Sequence, residues 1–189
     1  FVTILVTGAA GFIGSNFTLN WLGHSDEKLI AVDKLTYAGN LENLKSIELN
    51  PNYIFLHGDI GDSKFIAHIL TKYQPRAILN FAAESHVDRS ISGPDDFMQT
   101  NILGTYHLLQ EVRSYFEELS TGLKNKFRFL HVSTDEVYGS LNIDELPFKE
   151  SDQYKPNSPY SASKAASDHL VRAWHHTYNI PVITTNCSN

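Results

Sequence analysis

The sequence predicts an α/β fold built on a doubly wound parallel sheet, and three observations carry that expectation. Short β-branched runs alternate with longer helical patterns, the order that βαβ units produce. Several of these runs are apolar on consecutive residues, as strands covered by helices on both faces require. A glycine-rich turn, VTGAAGFIGS, joins the first strand to the first helix.

Strands are expected at 2–7 (VTILVT), 28–33 (KLIAVD), 53–57 (YIFLH), 76–82 (RAILNFA), 127–133 (FRFLHVS) and 180–185 (IPVITT). Helices are expected at 12–23, 40–49, 62–73, 95–119 and 159–178, with Asp62 and Ser158 as N-caps and Pro159 at the first helical position. Such a chain folds with strand order 3-2-1-4-5-6 and binds ligands at the carboxyl ends of its strands. Residues 84–94 (ESHVDRSISGP) and 139–157 carry no regular pattern; a connection as long as the second is expected to serve function or remain unstructured.

The 189 residues fit one domain, and a net charge of −6 without a Lys/Arg run argues against a nucleic-acid partner. Cys187, the single cysteine, fits a reducing compartment and reads as an ordinary buried thiol beyond the last strand. No stretch approaches the roughly 18 apolar residues that a membrane span needs. A cytoplasmic protein is the expectation. The chain opens directly in a strand without Met and stops after another, which predicts a piece of a longer protein.

Gly8, Gly11 and Gly14 are spaced GxxGxxG between strand and helix. Missing Cβ atoms there let backbone amides and the helix N-terminus approach a pyrophosphate. Asp33 ends the second strand, 19 residues beyond Gly14, where a carboxylate takes the ribose hydroxyls of an adenosine and repels a 2′-phosphate. The context predicts a Rossmann-type site for NAD in preference to NADP. Asp59 and Ile60 follow the third strand, where an adenine can be hydrogen-bonded or a helix merely begins.

Tyr160 and Lys164 stand four residues apart at a helix start and share one face. An ammonium beside a phenol stabilises phenolate, which suits a tyrosine acting as base toward a carbinol. In VSTDEVYG, Asp135 and Glu136 form a carboxylate pair where an apolar strand runs out. His175 and His176 have no ligand partner at metal-binding spacing and read as helix-surface residues.

GxxGxxG, Asp33 and YxxxK together resemble the extended short-chain dehydrogenase/reductases. VSTDEVYGS (132–140), FAAESHVDRS (81–90), DKLTYAGNL (33–41), TNILGT (100–105) and the terminal NCSN resemble, within that group, the dTDP-glucose 4,6-dehydratases across the whole chain. The Thr134-Asp135-Glu136 triplet discriminates, since epimerases resemble small residues there and GDP-mannose dehydratases resemble TSE. The resemblance implies that Phe12, Ile13, Asp33, Lys34, Leu35, Thr36, Asp59, Ile60, Phe81, Ala82, Ala83, Glu84, Ser85 and Thr100 line the NAD site together with Tyr160 and Lys164. It implies that Ser85, Thr134 and Asn189 touch a nucleotide sugar. His86, Asp88 and Arg89 fit either a loop network or substrate contact.

By the same resemblance, Tyr160 takes the C4 hydroxyl proton while hydride passes to NAD, Lys164 holds phenol and ribose, and Thr134 bonds O4. Loss of water across C5 and C6 then needs a base and an acid, the roles implied for Glu136 and Asp135, before hydride returns to C6. The resemblance further implies a smaller substrate domain after residue 189, which this chain lacks, and a homodimer through helices 95–119 and 159–178. Two other readings stay open: an epimerase or dehydratase acting on another nucleotide sugar, and a non-catalytic NAD-binding module.

Overall fold

The computed structural model describes residues 2–188. Six parallel strands, β1 (Thr3–Thr7), β2 (Lys28–Asp33), β3 (Tyr53–His57), β4 (Ala77–Asn80), β5 (Arg128–Thr134) and β6 (Val182–Cys187), form one sheet in the order β3-β2-β1-β4-β5-β6. That order is the expected one. β1 is buried on every residue and feeds two cores. Ile4 and Val6 face Phe17 and Leu22 of α1 (Phe12–His24). Leu5 faces the opposite core, shared with α2 (Ser63–Tyr73) and its Ile66, Ile69 and Leu70. The same core takes Leu108, Leu109, Val112 and Phe116 from α5 (Thr105–Glu118) and Val171 from α7 (Pro159–Tyr178). Both faces of a parallel strand are thus covered, which is why its sequence does not alternate.

The expected caps are present. Asp62 Oδ1 accepts from Phe65 N at 3.1 Å, and Ser158 Oγ accepts from Ser161 N at 3.0 Å in a reciprocal capping box with Pro159 at N1.

Several elements depart from expectation. Leu41–Ile47 is a 3₁₀ helix, because Asn40 N and Asn43 Nδ2 both bond Ala10 O, at 3.0 and 3.1 Å, and tie the segment to the glycine turn. Residues 84–94 contain a short helix, α3 (Val87–Ser92), which docks on α7 and buries Ser90. The helix expected over 95–119 is composite: α4 (Asp95–Phe97), a π-helical stretch Met98–Gly104, then α5. A further short helix, α6 (Thr121–Lys126), buries none of its residues, so no periodicity announced it. β6 starts two residues later than read, because Pro181 has no N–H for the ladder. The 139–157 connection holds no regular helix or strand.

Candidate active site

The β1–α1 turn is built around two close approaches. Gly8 adopts φ +67°, and a Cβ on it would stand 2.6 Å from Ala82 N. A Cβ on Gly14 would overlap the Gly8 carbonyl oxygen. Only glycines let α1 begin this close to β1 and β4. Gly11 is the N-cap of α1 and no side chain caps the helix, so its first-turn amides face a cleft at the carboxyl ends of the strands.

That cleft has a volume of about 680 Å³. Gly8, Gly11, Phe12, Ile13, Gly14, Asp33, Lys34, Thr36, Asp59, Ile60, Phe81, Ala82, Ala83, Glu84, Ser85, Thr100, Thr134, Glu136 and Tyr160, all singled out in the sequence, line it. Asp33 is buried at the end of β2; its Oδ2 accepts from Ala10 N and its Oδ1 from Leu35 N, each at 2.8 Å. Each oxygen retains a lone pair for a further donor. Lys34 pairs with Asp59 at 2.7 Å, so the cation next to Asp33 is neutralised. Burial pushes the Asp59 carboxyl up, but Lys34 and the Gly61 N–H outweigh it and hold it below its ordinary value.

Three expected residues are not on the cleft wall. Leu35 takes a left-handed conformation, φ +54°, and only its backbone serves the site, through Asp33. Asp135 and Glu136 open a 3₁₀ helix, Asp135–Tyr138, capped by Thr134, whose Oγ1 accepts from Glu136 N at 3.2 Å. Successive residues of such a helix point about 120° apart, so Glu136 faces the cleft and Asp135 stands beside it. Lys164 lies behind Tyr160, 4% exposed, donating to Val132 O at 2.8 Å. Asn189 lies outside the described residues.

The electrostatics correct one expectation. The Tyr160 phenol is not depressed by Lys164; burial, then the Glu136 charge, pushes it up to about 12. The reason is geometric, since the ammonium is directed at the β5 backbone while Glu136 shares the cleft with the phenol. Lys164 itself is pulled down to about 8 by burial, against the charges of Asp168 and Cys187. Glu136 is raised by partial burial and by its neighbour Asp135, which makes it a stronger base than an exposed carboxylate.

Cys187 is a second correction. It is exposed, sits on the cleft wall within β6 and pairs in register with Thr134. The later start of β6 carries it into the ladder. His86 also reaches the cleft, whereas the Arg89 guanidinium of α3 lies 3.8 Å over the ring of Tyr37 in the loop after β2. His175 and His176 are exposed on α7, as read. Among the described residues no cluster of three or more His, Cys, Asp or Glu is arranged to hold a metal.

Asn101 was not singled out, yet it organises the site. Its Oδ1 accepts from Glu84 N at 2.8 Å, and its Nδ2 donates to Glu84 O at 2.9 Å and to Ser163 Oγ at 2.8 Å. The π-helical stretch directs this fully buried amide at the loop after β4 and at the first turn of α7 together. The TNILGT string is the only signal that pointed to it.

A family model described as GDP-mannose 4,6 dehydratase matches residues 5–189. The chain belongs to this family. Among relatives similar to this family member is the dTDP-glucose 4,6-dehydratase of Xanthomonas campestris pv. campestris (strain B100), 59% identical over 187 residues, 99% of this chain and 53% of the relative. The structure of DesIV, a dTDP-glucose 4,6-dehydratase from Streptomyces venezuelae described with NAD and TYD bound, superposes with a TM-score of 0.89 at 46% identity. It covers 100% of this chain and 56% of that one. The UDP-glucose 4-epimerase of Thermotoga maritima, described with UDP-glucose, gives 0.82 at 30% identity over 98% and 55%. The chain thus spans about half the length of the relatives it matches. The family description and these dehydratase relatives name different nucleotide sugars and agree on 4,6-dehydration.

Proposed function

We propose that this chain is the cofactor-binding half of an NAD-dependent nucleotide-sugar 4,6-dehydratase, a lyase, with dTDP-glucose as its substrate. The observation that carries the reading is the meeting of Thr134, Glu136 and Tyr160 in one cleft with the glycine turn and Asp33. The residues present fit NAD: the β1–α1 glycines exclude any Cβ, α1 opens uncapped, and Asp33 ends β2 with free lone pairs. Bound NAD supplies a two-electron acceptor that takes hydride from C4 and returns it to C6. Lys34, neutralised by Asp59, offers no free charge to a 2′-phosphate, which favours NAD over NADP.

The chain's own residues divide the proton traffic. Tyr160 takes the C4 hydroxyl proton with Thr134 orienting the oxygen, and Lys164, bonded to the Val132 carbonyl, holds the first turns of α7 that carry the phenol. The ketone at C4 acidifies the C5 hydrogen, which Glu136 removes from its raised, partly buried position. Asp135 supplies the proton to the departing C6 hydroxyl. A pure binding module has no use for a base facing a phenol across the cleft, and an epimerase needs no elimination base. Ser85, on the cleft wall, contacts the sugar.

The same reading includes a cytoplasmic homodimer. Its support is the resemblance, which pairs helices 95–119 and 159–178 between subunits; within this chain Trp174 of α7 packs edge-on against Tyr106 of α5 and Tyr178. Among the described residues no helix is long and apolar enough to cross a membrane.

Incubating the full-length protein with dTDP-glucose, and separately with UDP-glucose, in deuterated water tests the reading. It predicts a dTDP-linked product one water lighter that carries deuterium at C5. Inversion at C4 without water loss would make the protein an epimerase.

A further inference from the structure

One side chain on β6 holds both ends of the short helix that carries Glu136. Asn186 pairs in register with Ser133, one residue before the end of β5. Its Nδ2 donates to the Thr134 carbonyl oxygen at 3.2 Å, and its Oδ1 accepts from the Tyr138 hydroxyl at 3.3 Å. A carbonyl oxygen only accepts, so the nitrogen faces Thr134 and the oxygen is left for the phenol. Thr134 caps the 3₁₀ helix Asp135–Tyr138 and Tyr138 ends it, so the two contacts bracket Asp135 and Glu136.

Other contacts hold the far end of this helix. The Lys155 N–H donates to the Val137 carbonyl oxygen at 2.9 Å, Val137 is fully buried, and the Tyr138 ring packs against Phe148 and Tyr154 of the 139–157 connection. These contacts fall on the last two residues, whereas Asn186 reaches the beginning as well. A single 3₁₀ turn is too short to fix its own rotation, and a turn by one residue, about 120°, exchanges Glu136 for Asp135. The orientation of the turn therefore decides which of two adjacent carboxylates shares the cleft with the Tyr160 phenol.

Resting on the role given to Glu136 above, we propose that Asn186 is a positioning residue: by holding the Thr134 carbonyl and the Tyr138 hydroxyl together, it keeps the helix turned so that Glu136, and not Asp135, faces the cleft. Asn186 is not itself on the cleft wall, so it acts through the backbone of Thr134 and the ring of Tyr138. The titratable groups that face Glu136 are Asp135 on its own turn and Tyr160 on α7. A Glu136 released from this orientation regains water and loses the partial burial that raises its carboxyl.

The test is Asn186→Leu in the full-length protein, a change that keeps the branched shape and removes both hydrogen bonds. Two readouts are followed: turnover of dTDP-glucose, and the Glu136 carboxyl resonance with pH in protein carrying ¹³C-labelled glutamate, assigned by its loss in Glu136→Gln. In Asn186→Leu the Glu136 midpoint moves down toward the ordinary carboxylate range, and kcat falls by about 10-fold or more while KM changes far less. Tyr138→Phe, which removes one of the two contacts, moves both readouts in the same direction by less. A midpoint and kcat at wild-type values in Asn186→Leu, even with lowered stability, overturn the proposal and leave Asn186 as a tie between β5 and β6. Should Asn186→Leu fail to fold, Tyr138→Phe decides: a lowered midpoint supports the proposal, and an unmoved one contradicts it. Because the midpoint needs no turnover, a protein that shows the shift without dehydrating dTDP-glucose refutes the proposed function and supports the positioning role.

Discussion

Lys164 Nζ donates to the Val132 carbonyl oxygen at 2.8 Å, and this bond pins the first turns of α7 to the strand that ends in Thr134. The ammonium therefore fixes the position of Tyr160 against Glu136. Lys164→Met keeps the volume, removes the charge and leaves the Val132 carbonyl without this donor. Turnover by the full-length protein is expected to fall about 100-fold or more, with circular dichroism unchanged. Wild-type turnover would show that Lys164 serves packing alone.

Asn101 joins the loop after β4 to α7 through three hydrogen bonds. Asn101→Ala strands the buried Glu84 N–H and carbonyl, each costing about 1–3 kcal/mol when left unpaired. The expected result is a protein about 3 kcal/mol less stable in denaturant melts and with weaker NAD binding by titration calorimetry. Loss of stability with unchanged NAD affinity would separate Asn101 from the site.

His131 is fully buried and neutral, with a folded-state value near 4 against an ordinary 6.5. Between those values the unfolded chain binds a proton that the folded chain does not, so each step down in pH favours unfolding. His131 is expected to withdraw on the order of 3 kcal/mol of stability as pH falls from 6.5 to 4. Denaturant melts of wild type and His131→Gln across that range check this, because carboxylate titration common to both proteins cancels. Parallel curves would contradict it.

What the sequence revealed and what it concealed divide by distance along the chain. Gly8, Gly14 and Asp33 were legible because strand, turn, helix and strand follow one another, and their constraint is local. The Ser158 cap and the Tyr160/Lys164 spacing were legible for the same reason. Asn101 was not, because its partners Glu84 and Ser163 lie 17 and 62 residues away and only the fold brings them in. The depressed phenol expected of Tyr160 failed similarly: helical spacing puts Lys164 on its face, but the ammonium's partner is a β5 carbonyl that no local pattern reveals. Cys187 was misread because a two-residue shift in β6 decides between burial and the cleft wall.

In the proposed reaction Glu136, facing Tyr160 across the cleft, is the elimination base that separates a dehydratase from an epimerase. The direct measurement is Glu136→Gln in the full-length protein, mixed with dTDP-glucose and followed by reduced-nicotinamide absorbance and by product mass. Oxidation at C4 is expected to proceed and stall, with bound NADH accumulating and water loss slowed by about 100-fold or more. Water loss at the wild-type rate, with no accumulated NADH, would contradict it.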